Sequence, residues 1–463
     1  VAVYPVRSTT PWDLALRAYI DDLYISLPST VAGFADDETT DLYASLLAGF
    51  AIGQVATHPR WGADPTGVTD SYAAINALVQ YVATNGGVAY FPPGTYKMSD
   101  RLRVVDAVKP FSIVGAGMEA TKFVRAAEYG QVMVFETSDG VSLRHFGIDG
   151  GQVEFPANAS HGLSVYQCSD GVADHIKVVN YKNSGIIVWS PGAVSRNFNV
   201  DYCHTIGNGG GITGNGILLS WMYDSFIRHC KAEDTMGGSP GTGLQLKNDC
   251  VNCGIIDGLS INCDGGYSFS QDESGTGPRR CKGISLTAVS CKTGFIFGGG
   301  WDNQVTGLVI DMENNVVSTY GLRIQSDTAD MSVSGLMVLN ATAGATPLQL
   351  DGVGSSVYAD LIEDMTASGS SVVFGAAADK NTVRLKRLVR AGTELFDLTG
   401  NVAYTGTLTN SVVLESGHNL TRYSIASDAI TISNRQAKNV VLDTEGGAGT
   451  DTLATITGGM DGQ

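Results

Sequence analysis

WGADPTGVTDSYAAINALVQYVATNGGVAYFPPGTYK, residues 61–97, reads in order as loop, helix, turn and strand. Gly62, Pro65 and Gly67 punctuate the loop. Thr69 or Asp70 is placed to cap the helix, because a short side-chain oxygen there satisfies free N–H groups of the first turn. Ala73, Ala74, Leu78, Val79 and Val82 follow at helical spacing. Gly86-Gly87 stops the helix, and Val88-Ala89-Tyr90-Phe91 opens a strand. Pro92-Pro93-Gly94 turns the chain before Thr95-Tyr96-Lys97 resumes it.

Downstream, from about Arg101, a two-strand unit recurs. First strands fall at residues 141–148, 172–178, 194–200, 226–232, 254–261 and 305–310. A glycine opens each second strand: Gly162, Gly185, Gly216, Gly243, Gly266, Gly294 and Gly321, spaced 23, 31, 27, 23, 28 and 27 residues apart. Within a unit the apolar period is two, which rules out helices. A repeat of this length signals a stacked solenoid. The recurring glycine is read as a sharp corner needing positive φ. The repeat is legible through about Gly400. Residues 401–463 read as a C-terminal β region that trimerises, the alternative being the last coils and a cap. Residues 1–60 read as a helical neck or linker, with helices through about Ile25 and over residues 42–55; the alternative is a small helical cap.

The elements GADPTG, DSYAAI and GGVAYFPPGTY, in that order at close spacing, resemble the opening of the pectate-lyase-like superfamily of right-handed parallel β-helices. The resemblance implies an all-β solenoid over residues 61–400, with a helix capping the first coil. That superfamily includes pectin-degrading enzymes and bacteriophage tailspikes, and it fixes fold better than reaction.

Composition agrees. The chain has 463 residues, 58 of them Gly, and only 16% charged, which suits short stacked strands joined by tight turns. The net charge of −17 argues against a nucleic-acid partner. No apolar run reaches the roughly 20 residues that span a bilayer, so no membrane insertion is expected. No basic segment followed by an apolar core opens the chain, and Val1 replaces a starting Met, so the sequence reads as a processed or truncated piece. Eight cysteines lie between Cys168 and Cys291. Cys250 and Cys253 form one CxxC, with Cys263 and Cys281 beyond; a structural zinc usually takes two such pairs. The cysteines are read as reduced, buried fillers, assembled in a reducing compartment.

The resemblance places the substrate groove along the second strands. Tyr166, Trp189 and Trp221 offer flat faces for sugar rings, and Gln245, Lys247 and Arg323 offer polar contacts. Just past these strands, Asp249, Asp272 with Glu273, and Asp302 fall at roughly the same place on three coils. Stacked coils are about 4.8 Å apart. Two carboxylates one or two coils apart would therefore lie roughly 5–10 Å apart, spanning retaining and inverting glycosidase geometry. One would protonate the leaving oxygen while the other attacks or activates water. The bland alternative is that Asp at turns bonds its own backbone. No cofactor is expected, although these aspartates are also of a type that binds a divalent cation.

Asp201, Glu233, Asp234, Asp311 and Glu313 form a second candidate group after the first strands, or else a solvated acidic stripe. His145, His175 and His229 share one strand position and read as a stacked outward column, not as metal ligands. The stretch GNGGGITGNG at 207–216 lacks the Lys of a phosphate loop and reads as a flexible turn. His161-Gly162-Leu163-Ser164 echoes the polygalacturonase His element. Arg323-Ile324-Gln325 departs from that family's basic one, and Asn215 and Thr242 stand where carboxylates would be, which argues against pectin hydrolysis.

Taken together, the resemblance implies a tailspike-like protein that binds and depolymerises a bacterial surface polysaccharide, as a glycosidase in preference to a lyase. It implies a homotrimer joined to other virion tail or baseplate proteins, located in the virion after assembly in the host cytoplasm. The alternatives are a non-catalytic receptor-binding or structural virion spike, and a secreted monomeric polysaccharide lyase or hydrolase.

Overall fold

The computed structural model describes residues 54–128, 130–151, 161–207, 214–236, 241–271, 276–313, 320–341, 344–365 and 370–390, and beyond these the backbone of short strands between residues 393 and 457. The chain winds as a right-handed parallel β-helix. A 12-stranded sheet carries the second strand of each coil, and a 22-stranded sheet carries the first strands. Nearly all pairing is parallel. In the second sheet, for example, Leu163 pairs with Ile186 and Ile186 with Ile217.

The opening stretch keeps its helix and following strands, but Thr66–Asp70, read as loop and cap, forms a strand parallel to Gly94–Met98. Its helix spans Tyr72–Asn85. Ser71 occupies the cap position without a capping bond of its own, and the Tyr72 N–H instead donates to Asp70 Oδ1 at 3.2 Å. The Ser71 hydroxyl is engaged elsewhere, accepting from the Asp64 N–H and donating to the Asp64 carbonyl. Asp64 in turn gathers the Thr66 hydroxyl and the Thr66 and Thr69 N–H groups, which hold its carboxyl well below the usual range. The buried helix face is Ile75, Leu78, Val79, Val82 and Ala83. Ala73, expected on that face, is exposed. Gly86 ends the helix at φ 78, its N–H returning to the Val82 carbonyl.

Two boundaries differ from expectation. Gln54–Val55, read as the end of a helix, form a strand parallel to Ala89 and Tyr90. The rest of the expected neck, residues 1–53, lies outside the described residues. At the other end the coils pass residue 400: Val402–Tyr404 pairs with the second-sheet strand Val372–Phe374, and Val412–Glu415 with Thr382–Leu385.

The repeating glycines serve close approach rather than handedness. None of Gly162, Gly185, Gly216, Gly243, Gly266, Gly294 and Gly321 has positive φ, which corrects the expectation. A Cβ on Gly185 would sit 2.6 Å from Thr205 Cγ2 and 2.8 Å from the Gly216 carbonyl. At Gly243 it would meet Ser260 Oγ at 2.5 Å. Only a residue without Cβ lets the second sheet come this close to the first.

The left-handed positions are filled mostly by other residues. Asp170, Asn197, Asp224, Asn252, Arg280, Asp302, Asp330 and Lys380 all have φ between 49 and 56. Short polar side chains tolerate this region best. The residue after such a corner turns inward and bonds backbone carbonyls. Cys253 Sγ donates to Met222 and Val251 carbonyls, Cys281 Sγ to Cys250 and Arg279, and Cys203 Sγ to Ala173 and Asp201. Asn303 and Asn381 fill the same role with amides. All eight cysteines are buried and unbridged, and burial pushes the Cys168 thiol up to about 12.

Candidate functional site

Period-two alternation turns Leu163, Val165, Leu244, Leu246, Phe295 and Phe297 of the second sheet into the core. The residues between them face outward, and the register aligns them in two rows. One row runs Ser164, Ile187, Leu218, Gln245, Ser268, Ile296, Arg323. The other runs Tyr166, Trp189, Ser220, Lys247, Ser270, Gly298.

Tyr166 and Trp189 meet edge to face, with centroids 5.2 Å apart. Gln245 donates to Ser270 Oγ at 2.7 Å and is only 4% exposed. The middle of the face is sheltered, with Ser164 at 1% and Ser268 at 3% exposure. The Arg323 guanidinium lies 4.7 Å over the Tyr320 ring, and its Nη2 is 3.9 Å from Asp351 Oδ2. Asp351, not foreseen, also accepts from Gln349 at 2.8 Å. At the start of its strand His161 Nε2 accepts from Asn183 Nδ2 at 3.1 Å. Burial pushes its imidazole down to about 4. Among the described residues, three buried polar atoms here have no partner: His161 Nδ1, Ser164 Oγ and Arg323 Nε.

Other expected members stand apart. Trp221 lies one residue beyond the outward row, at a left-handed corner (φ 55), and does not align with Trp189. Asp249 is half-buried in the turn after Lys247. Asp302 is exposed and left-handed, and it follows Trp301, which is in step with Arg279 and Val251. Its counterparts on earlier coils are therefore Arg280 and Asn252, not Asp249. Two coils of axial rise plus this lateral step set the two backbones roughly 10 Å or more apart. Counting from strand ends misled because the turns differ in length: Val251 comes four residues after Lys247, but Trp301 three after Gly298. Asp272 and Glu273 lie outside the described residues.

Four carboxylates of the second group are tied up internally, while Glu313 is exposed. Asp201 accepts from Arg228 Nε and Nη2 at 2.8 Å each. Glu233 pairs with Lys231 and with His204 at 2.8 Å. Burial pulls its pKa up, but these two bonds outweigh it and hold the carboxyl below its usual range. Asp234 accepts from the Asn262 amide, and Asp311 from the Asn340 amide and the Glu313 N–H. The expected imidazole column does form. His145 and His175 lie 5.0 Å apart, and Tyr202 inserts between His175 and His229 at 4.9 and 4.6 Å.

A family model described as rhamnogalacturonase A/epimerase, pectate lyase-like, matches residues 60–317. The chain belongs to this family. Solved structures extend the likeness. The pre-mature bacteriophage phi29 gene product 12 aligns at 15% identity and TM-score 0.65, over 82% of this chain and 53% of that one. The N-terminal fragment of the same gene product aligns at 13% and 0.58, over 85% of each. The catalytic domain of a GH87 alpha-1,3-glucanase in complex with nigerose aligns at 12% and 0.51, over 75% and 69%. At such identities the likeness is one of fold, and the chain spans about half the length of the first of these structures. No curated protein matches in sequence.

In this member of the pectate lyase-like family the second sheet presents an aromatic pair at one end, an amide–hydroxyl middle, and a guanidinium with amide and carboxylate towards the other. Flat rings beside fixed donors and acceptors suit a polyhydroxylated chain lying along the axis. Among the described residues no cluster of three or more His, Cys, Asp or Glu is gathered to hold a metal ion.

Proposed function

We propose that this chain is a tailspike-like polysaccharide depolymerase of a virion, binding a bacterial surface glycan along the outward face of the second sheet and hydrolysing it. The observation that carries this reading is that face: the Tyr166–Trp189 pair and the row through Gln245, Lys247 and Arg323, on a pectate lyase-like β-helix. Tyr166 and Trp189 stack against sugar rings, with Trp221 offering a further ring from the neighbouring corner; Gln245, Lys247 and Arg323 hold hydroxyl or acidic groups. Asp249, with Asp272 or Glu273, supplies the acid and the base or nucleophile, and Asp302 supports them from the corner. The reading takes the chain as one subunit of a homotrimer with tail or baseplate partners, assembled in the host cytoplasm; what supports its phage setting is a fold shared with bacteriophage gene products. Incubation with bacterial capsular and O-antigen polysaccharides, following reducing-end release, tests the reading. Absence of both binding and release across such glycans would overturn it. An unsaturated product absorbing in the ultraviolet would redirect it to a lyase.

A second reading, glycan binding without cleavage, is favoured by one observation: Asp302 stands off the file of Asp249. Binding without release of new reducing ends would select it.

A further inference from the structure

Among the described residues, two of the exposed large apolar side chains are aromatic: Tyr202 at 48% and Trp301 at 41%. Tyr202 has both faces occupied by His175 and His229. Among the described residues the Trp301 ring meets the Arg279 guanidinium, 5.5 Å from its centroid. The backbone beneath Trp301 is unusually fixed. Gly299 and Gly300 are left-handed (φ 131 and 91), and a Cβ on Gly300 would sit 2.0 Å from the Pro278 carbonyl. The Trp301 N–H donates to that same carbonyl, Arg280 N–H donates to the Trp301 carbonyl, and Gly300–Trp301 pairs with Thr328–Ala329. Beside it, Gln271 donates to the exposed carboxylate of Asp327 at 2.8 Å, and Gln271 packs against Gly299. Arg279 Nε is buried without a partner.

We propose that Trp301, braced by Arg279, is a saccharide-stacking subsite, with Gln271 and Asp327 as its hydrogen-bonding rim. The inference rests on the polysaccharide reading above and adds the place where the chain's far end is held. Trp301 follows Gly298, which lies four coils from Trp189 in the same row. At about 4.8 Å per coil the two aromatic stations are roughly 20 Å apart along the axis, the length of a short oligosaccharide, with Trp301 set to one side beyond the turn. Between the stations a chain meets the row through Gln245 and Lys247, and Trp301 adds a stacking contact at its far end.

The test uses the full chain on an array of purified bacterial capsular and O-antigen glycans, then calorimetry with oligosaccharides of graded length cut from whichever glycan binds. Trp301→Ala should weaken the longer oligosaccharides about tenfold and leave short ones unchanged, while Trp301→Phe stays within about threefold. Bound glycan should also protect Trp301 from N-bromosuccinimide oxidation, read by mass spectrometry, which needs no variant to fold. A bound glycan with Trp301→Ala indistinguishable from wild type and no protection overturns the subsite and leaves the polysaccharide reading intact. No glycan bound by the wild type removes both.

Discussion

The two sheets of the β-helix wear different outer faces. On the first sheet, charged and aromatic groups satisfy one another: Arg144 with Asp174 at 3.1 Å, Arg228 with Asp201, Lys177 with Glu119, and the rings in their stack. On the second, polar groups are fewer, and His161 Nδ1, Ser164 Oγ and Arg323 Nε are buried without partners. A buried polar atom left unpaired costs about 1–3 kcal/mol. A fold tolerates several on one face when something other than stability sets that face's composition. Ionisable residues are dense on the first sheet, yet density marks self-sufficiency there. Scarcity with unmet valence marks the face available to a ligand.

The largest expected effect breaks this contrast most directly. Asp249→Asn and Asp272→Asn should each lower polysaccharide cleavage by about 10³-fold, the scale of a lost general acid or base. Asp201→Asn and Glu233→Gln, on the first sheet, should leave turnover within about twofold. Reducing-end assays on the four purified variants check it. Similar losses from all four variants would remove the contrast between the two sheets.

Next in size is a pH effect. His161 has a folded pKa of about 4 against an ordinary value near 6.5, because burial disfavours its charged form. The unfolded chain therefore binds the extra proton between these values. The stability is fully present above pH 6.5 and is lost as pH falls towards 4. The shift corresponds to roughly 3 kcal/mol at its full extent. Burial also lowers His145 and His204, adding the same sign. His161→Gln should flatten the fall in denaturant midpoint between pH 6.5 and 4. An unchanged slope would show that His161 is reached by water.

How much of this was open to a reader of the sequence depends on distance along the chain. Coil length was legible because the glycine at each close approach is irreplaceable, even though the reason first given for it, positive φ, was wrong. The opening helix was legible, although its cap falls at Ser71 and not at Thr69 or Asp70, and its buried face includes Ile75 in place of Ala73. The cysteines carried a signal that was missed: each pair Asn252-Cys253, Arg280-Cys281 and Asn262-Cys263 is a left-handed corner followed by an inward thiol. Partnerships were not legible. Arg228 finds Asp201 27 residues away, and Asn262 finds Asp234 28 away, across coils whose turns vary in length. The same variation hid the displacement of Asp302.

A smaller effect sharpens the comparison through one arginine on each face. Arg228→Ala would leave Asp201 unpaired beside Asp174, its register neighbour. For a partly exposed pair the loss should be about 1 kcal/mol, with glycan affinity unchanged. Arg323→Ala removes a guanidinium whose carboxylate contact is a loose 3.9 Å, so stability should stay within about 0.5 kcal/mol while affinity falls. Thermal midpoints and calorimetry on the two variants separate these outcomes, and a reversed pattern would exchange the roles assigned to the faces.

The smallest effect concerns the ring stack, where two opposing terms meet in one residue. Tyr202 is stacked on both sides, an arrangement worth roughly 0.5–1.5 kcal/mol beyond its area. It also holds φ 51, which costs an L-residue about 1–2 kcal/mol and glycine nearly nothing. Tyr202→Phe keeps both terms and should be neutral. Tyr202→Ala loses the stack and keeps the strain, so it should destabilise by about 1 kcal/mol. Tyr202→Gly loses the stack but relieves the strain, and should recover most of that loss. Urea midpoints for the three variants read the terms separately. If Gly is no better than Ala, the column is held by its rings alone, and the left-handed corner imposes no cost that stacking has to offset.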